Sequence, residues 1–191
     1  NVFWNIPYSY NESLFMNRFN FNLVLGSQSP RRKQLLESLD LTFQIRISNA
    51  EEIIPKDLEL EKAAEYLAKL KSDCIEIKEN ELLITADSVV ILEGKILEKP
   101  KDNEEAAEFL KMLSGKTHKV ITGVCLRSRF REKQFSETTL VKLSEINDEE
   151  IKYYTRHYNA LDKAGAYGIQ DWIGWVKVEH IDGSYANVMG L

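Results

Sequence analysis

The chain of 191 residues has only two cysteines, Cys74 and Cys125, far apart and in no CxxC pair. That usage fits reduced thiols in a cytoplasmic protein and speaks against a disulfide framework. Its three histidines, His118, His157 and His180, lack the spacing of zinc ligands. No apolar run approaches the roughly 18 residues that a spanning helix needs, so no membrane partner is expected. Positive charge is in deficit: 25 Lys and Arg face 30 Asp and Glu, a net charge of −5. The balance argues against nucleic acid, which needs a basic face, but not against a small anionic ligand, which local charge decides. Also missing are the GxxxxGKS/T loop of P-loop kinases, internal repeats, linkers and low-complexity tracts.

What remains is an ordinary globular composition, 43% apolar and 29% charged, long enough for one domain with a real core. Residues 1–20, rich in Asn, Ser and Tyr, have neither a basic start nor a continuous apolar stretch of signal-peptide type. They read as an N-terminal extension, with Met16 as the natural start, ahead of a single two-lobed domain over 21–191.

Strand and helix patterns alternate along that domain. "FNLVLGS" reads as a short strand, after which Ser29 caps a helix with Pro30 at its first position and Leu35, Leu36 and Leu39 as its buried stripe. "TFQIRIS" (42–48) alternates like a strand, and 58–71 is a helix with Ala63, Ala64, Leu67 and Leu70 on one face. "ELLITADSVVIL" (81–92) is either a strand pair or one long, interrupted strand, with a turn at Gly94. Asp102 with Glu105 opens the next helix, lined by Ala106, Phe109, Leu110 and Leu113. Two strands follow, "HKVITGVCLR" and "KQFSETTLVKLS", then a short helix opened by Asn147 and Glu150, with Ile151 and Tyr154 inward. "WVKVEHI" (175–181) reads as the last strand. The fold class is α/β with a mixed sheet, and the polar strand–helix junctions are where chemistry belongs.

The stretch "LVLGSQSPRRKQLL" (23–36) sets two arginines on the first turn of a helix, an end that is already partly positive. Ser27 and the backbone N–H groups could cradle a phosphate with Arg31 and Arg32; alternatively the arginines pair with surface carboxylates. Glu52 in "NAEEIIP" and Asp87 in the apolar "ITADSVV" are hard oxygen ligands of the kind that hold Mg²⁺ beside phosphates, provided they converge. Asp87 could also deprotonate a water, or simply form a turn between two strands. Lys71 and Lys99 (in "LEKP") are solvated side chains or members of a cation patch suited to a polyphosphate. "GAYGIQ" ends in Gln170, which offers both a donor and an acceptor, and is otherwise a tight turn. Composition and spacing reach a polyphosphate site with a divalent metal.

The segments "SQSPRRKQLL", "ADSVV", "LEKP", "LSGKTHKVITGV", "DKAGAYGIQ" and "GSYANVMGL", in that order, resemble the Maf family of nucleoside triphosphate pyrophosphatases. The resemblance implies an elongated α/β fold with a cleft between two lobes, similar to the inosine triphosphate pyrophosphatases. It implies cleavage between the α- and β-phosphates, to a nucleoside monophosphate and pyrophosphate. Asp87 matches the proton acceptor, Glu52 and Asp87 the metal ligands, and Ser27, Arg31, Arg32, Lys71 and Lys99 the phosphate cleft. Arg31, Ser88 and Gln170 match positions linked to substrate choice. "KAGAYGIQ" and "LEKP" look like the branch that takes dTTP and UTP, modified pyrimidine nucleotides being a variant of the same chemistry. The implied cofactor is Mg²⁺, with Mn²⁺ or Co²⁺ as alternatives, and the implied assembly a homodimer. A non-catalytic nucleotide-binding regulator of septum formation is the alternative function. Departures from the family pattern are Gly26 for the usual Ala, Ser88 for Thr, the tryptophan-rich "DWIGW", and "MGL" where Pro and a further helix usually follow.

Overall fold

The structure, a computed structural model, describes residues 21–191, so the expectations for Met16 and the N-terminal extension lie outside the described residues. Strand β1 (Asn22–Leu25) leads into helix α1 (Pro30–Glu37), β2 (Phe43–Ile45), a short 3₁₀ turn (Leu60–Lys62) and α2 (Ala63–Asp73). Then come β3 (Glu81–Leu92), β4 (Lys95–Leu97), α3 (Asn103–Leu113), β5 (Thr117–Arg127) and β6 (Glu132–Leu143). The chain finishes through α4 (Asp148–His157), a 3₁₀ turn (Ala164–Ala166), α5 (Trp172–Lys177), β7 (Val178–Asp182) and α6 (Tyr185–Met189). The strands form one mixed sheet in the order β2-β1-β3-β5-β6-β7, with β4 beside the far end of β3. β1 runs parallel to β2 and β3, and the other pairs are antiparallel.

β3 is one uninterrupted strand, neither the pair nor the interrupted strand expected, and the spine of the molecule. Its alternate side chains enter cores on opposite faces, as the two-residue period requires. Val89 and Ile91 pack with Ile121 against Ala63 and Ala64 of α2. Val90 and Leu92 join Leu110, Leu113, Tyr154 and Ile173, the largest core. On that same face but toward the start of the strand, Ile84 and Ala86 pack with Leu25 and Leu36 around α1. One face of β3 therefore carries two separate cores, and Ser88 lies between them. These are the two lobes.

Local signals place most elements correctly. Asp102 accepts a bond from Glu105 N at 2.8 Å, and Asn147 and Glu150 close a full capping box at the start of α4. Four expectations need correction. Leu39 is 66% exposed, because α1 ends at Glu37 and the chain turns away before the third leucine can join the stripe. Ser29 occupies the cap position but makes no side-chain cap bond; its N–H donates instead to Ser27 Oγ at 3.2 Å. The strand expected over 42–48 pairs with β1 only through Phe43–Ile45, since β1 itself stops at Leu25. Residues 175–177 end α5 and are not strand, so β7 begins only at Val178.

α2 lies unusually close to the sheet. A Cβ built on Gly123 of β5 would fall inside the backbone of Ala64 and Glu65. Gly123 pairs with Asp87, so this close approach brings α2 down beside Asp87 and its last turn within reach of it. Gly123→Ala is expected to push α2 off the sheet, costing about 3 kcal/mol or more, roughly 10 °C in Tm. Thermal unfolding checks this.

His118 is 2% exposed, and its Nε2 lies 2.7 Å from the Tyr167 hydroxyl. Burial lowers its pKa from 6.5 to about 4. The folded chain therefore keeps this imidazole neutral where the unfolded chain has already taken up a proton. This contribution to stability should be present above about pH 6.5 and be lost as the pH falls from there through about 4, with a slope approaching one proton midway. His118→Gln should flatten that slope in urea titrations run across the range.

Candidate active site

The site forms where β3 loses a neighbour. β1 leaves it at the pair Leu25–Ile84, and β4 joins the same edge only at Leu97–Val90. The intervening residues have β5 on one side and no strand on the other, among the described residues. The turn 26–29 after β1 faces this gap, at the carboxyl end of the parallel pair, where ligand sites in such sheets gather. The result is a cleft of about 350 Å³, within the size range of ligand pockets. Ser27, Arg31, Arg32, Glu52, Lys71, Asp87, Ser88, Lys99 and Gln170 all line it. Past Asp87 it meets a second, more apolar pocket of about 170 Å³ toward Leu67 and Leu97.

Asp87 and Ser88, being consecutive in a strand, face opposite sides. Asp87 turns toward α2, where Lys71 Nζ lies 3.0 Å from its Oδ2 and 3.0 Å from Glu52 Oε2. The other oxygen of Asp87 accepts Ser88 N–H at 2.7 Å. The two acids thus converge, as expected, but around an ammonium. Lys71, expected at phosphates, is held between carboxylates. Glu52 and Asp87 make a pair, and no group of three or more His, Cys, Asp or Glu forms a metal site among the described residues.

The two arginines part company. Arg31 spans the cleft to the other lobe: Nη1 donates to Asp162 Oδ2 at 2.9 Å and Nη2 to the Asp162 carbonyl at 3.1 Å. This is the carboxylate pairing left open by the sequence, although Arg31 also faces the cleft. Arg32 is buried, and its Nε donates to Gly190 O at 2.7 Å. Its Nη1 and Nη2 donate to Ser27 Oγ at 3.1 Å and Ser88 Oγ at 3.2 Å. Desolvation by burial lowers its pKa, with the nearby Asp87 charge opposing that shift. Among the described residues it makes no ion pair, so the cleft floor carries a guanidinium bound only to neutral oxygens.

Ser88 Oγ also meets Thr122 Oγ1 at 2.8 Å, which anchors it to β5. Lys99 is exposed at the rim. Gln170 closes the far side, and its Oε1 is buried without a hydrogen-bond partner among the described residues. Sequence reasoning missed Asp162 as the partner of Arg31, and the Gly190 carbonyl as the partner of Arg32. An Asp–Lys pair inside a glycine-rich segment was the available signal for the first. Nothing in the sequence announces the second, since a backbone carbonyl carries no residue signature.

A curated relative from Porphyromonas gingivalis strain W83, named dTTP/UTP pyrophosphatase, is 48% identical over 180 residues, covering 92% of this chain and 90% of its own. Relatives of the same name from Flavobacterium psychrophilum and Bacteroides thetaiotaomicron are 44% and 43% identical, over 174 and 178 residues. They cover 90% and 92% of this chain, and 89% and 92% of their own. A solved structure of a HAM1 protein from Coxiella burnetii shares 15% identity at a TM-score of 0.39, covering 64% of this chain and 73% of that one. That superposition is too partial to bear on the site. The family described as Maf-like protein matches residues 22–191, from the first strand through the cleft to Leu191, and the chain belongs to that family.

Proposed function

We propose that this chain hydrolyses dTTP and UTP to the nucleoside monophosphate and pyrophosphate, the activity that the names of its relatives give for them. The observation that carries the reading is Asp87, a carboxylate at the meeting of a polar cleft and a small apolar pocket. The small pocket, about 170 Å³, has room for water, which needs only ~30 Å³. A water there lies beside Asp87, while the phosphates occupy the wider cleft. Attack and departure then come from opposite sides, as an in-line displacement at phosphorus requires.

In this reading Asp87 Oδ2 takes the proton of the attacking water. Ser88 N–H and Lys71 fix the orientation of its carboxylate beforehand. Ser27 and the N–H groups at the start of α1 receive phosphate oxygens. The buried charge of Arg32 acts from beneath them, and Lys99 from the rim, on the charge that develops on the departing pyrophosphate. Two carboxylates completed by substrate phosphates suit Mg²⁺, which seldom has a full protein cage. Glu52 and Asp87 would hold the ion in place of the Lys71 ammonium that lies between them, and when bound it would neutralise the triphosphate and polarise the water. Mn²⁺ or Co²⁺ would fit the same oxygens.

Gln170 and Arg31 address the base. The unpartnered Gln170 Oε1 is an acceptor for the N3–H that thymine and uracil share. The cleft we read in this way serves modified pyrimidines that keep that edge equally well.

Pyrophosphate release from dTTP, UTP, CTP, GTP and 7-methyl-GTP is the decisive assay. With Mg²⁺, dTTP and UTP should react fastest, and EDTA should abolish release. Asp87→Asn should lower kcat by about a thousandfold, the scale of a lost general base, with Tm within a few degrees of wild type. Tight nucleotide binding with no release from any of them would overturn the reading in favour of a binding regulator.

A further inference from the structure

The Gln170 turn and Arg31 belong to different lobes, and one chain of charges joins them. Asp162 accepts from Arg31 through Oδ2 and from Lys163 Nζ, 2.8 Å away, through Oδ1. The same ammonium lies 3.4 Å from Asp171 Oδ2 and donates to the Asn159 carbonyl. Asp171 Oδ2 in turn accepts from the Tyr154 hydroxyl at 2.8 Å, and that hydroxyl accepts Gly168 N–H at 3.0 Å. The order is Arg31, Asp162, Lys163, Asp171: alternating signs, no net charge, with Lys163 and Tyr154 buried. Such a set is stable only while every member stays paired.

The turn itself is pinned from outside. Trp175 Nε1 donates to the Gln170 carbonyl at 3.1 Å, and a Cβ on Gly174 would fall inside the Ile169 carbonyl. Tyr154 holds Gly168 from within. Gln170 therefore has a fixed backbone, while no hydrogen bond among the described residues fixes the direction of its side-chain amide.

That freedom matters for telling bases apart. Uracil and thymine present a donor at N3 and an acceptor at O4, and cytosine presents the reverse. A glutamine amide satisfies either pattern by flipping, because it has one donor side and one acceptor side. A guanidinium cannot, since it has donors only. Discrimination consequently falls to the group that cannot flip, Arg31, and to whatever fixes its direction.

Deepening the pyrimidine reading above and resting on it, we propose that Asp171 is a positioning residue for substrate choice. Through Lys163 and Asp162 it aims Arg31, and through Tyr154 and Gly168 it sets the turn that carries Gln170. Both side chains that address the base are thereby registered on one ionic frame, with Asp171 itself outside the contact with substrate. Without the Asp171 charge, Lys163 would draw more of Asp162 to itself, and the two-point hold on Arg31 would loosen.

The test is calorimetric binding of the non-hydrolysable α,β-imido analogues of dTTP and CTP to wild type, Asp171→Asn and Tyr154→Phe, with thermal unfolding of each. Asp171→Asn keeps the shape and an acceptor for Tyr154 but removes the charge. It should reduce the ratio of dTTP-analogue to CTP-analogue affinity about tenfold, mainly through tighter CTP-analogue binding. Tyr154→Phe frees the turn and removes one hydrogen bond from Asp171 but keeps its charge beside Lys163, and should reduce the ratio less; it also decides the matter if Asp171→Asn does not fold. A ratio unchanged in the folded variants, or equal loss of both affinities, would overturn the proposal. Wild-type turnover of dTTP, measured beside it, reports on the enzymatic reading independently of this outcome.

Discussion

One ammonium group holds the catalytic side of this protein together. Lys71 Nζ stands 3.0 Å from a carboxylate oxygen of Asp87 and 3.0 Å from one of Glu52. Two acids on one cavity wall would otherwise repel. With the cation between them, both are held close together at the place where a phosphate-bound cation could be shared. The arrangement needs Lys71 at the end of α2 to reach an inward-facing residue of β3. That reach depends on the missing side chain at Gly123, which pairs with Asp87 across the β3–β5 ladder. A glycine in the middle of a strand usually weakens it; here it sets the height of a helix above the sheet.

Charge in the cleft is arranged by depth. The exposed Lys99 and half-buried Arg31 can move toward a ligand, whereas Arg32 lies beneath, bound to neutral oxygens. A cation without a counter-ion in such surroundings is unfavourable in isolation. It becomes favourable when an anion of several charges arrives above it, so part of the binding free energy is stored in the structure beforehand. This resolves the arginines on the first turn of α1. One is paired across the cleft, the other is held in reserve, and neither serves the helix.

Much of this was legible in the sequence, and for physical reasons. Capping residues act over three or four positions, so Asp102 and Asn147 announced their helices directly. The periodicity of α2 reflects burial on one face, and Ala63, Ala64 and Leu67 were read inward correctly, whereas Leu70 is only half-buried and Ala68 and Lys71 take the inner face in its place. The convergence of Ser27, Glu52, Asp87 and Gln170 followed from a family pattern carried by ordered motifs, which no single spacing could have supplied. The misses share another cause. Leu39 and residues 175–177 carry the right residue types, but chain geometry elsewhere decides their state: α1 has ended, and α5 must finish its turn against Gln170. The partners of Lys71 were not foreseen, because a lysine shows its charge in sequence but not what it pairs with. Asp162 and Gly190 were overlooked since their partners lie 131 and 158 residues away.

Those separations bear on how the molecule comes into being. Arg32 emerges early from a growing chain, yet the carbonyl that holds its Nε belongs to Gly190, at the close of α6. Arg31 waits similarly for Asp162. A nascent chain can form β1, α1 and the first parallel pair while both guanidinium groups are still solvated and unaimed. The cleft takes its working shape only when the last helix docks beside β5. The two halves of the cleft therefore differ in the length of chain they need: Glu52, Lys71 and Asp87 meet within the first half of the sequence, whereas both arginines wait for its far end. A fragment that stops short of Asp162 would carry the carboxylate pair and leave both guanidinium groups unaimed.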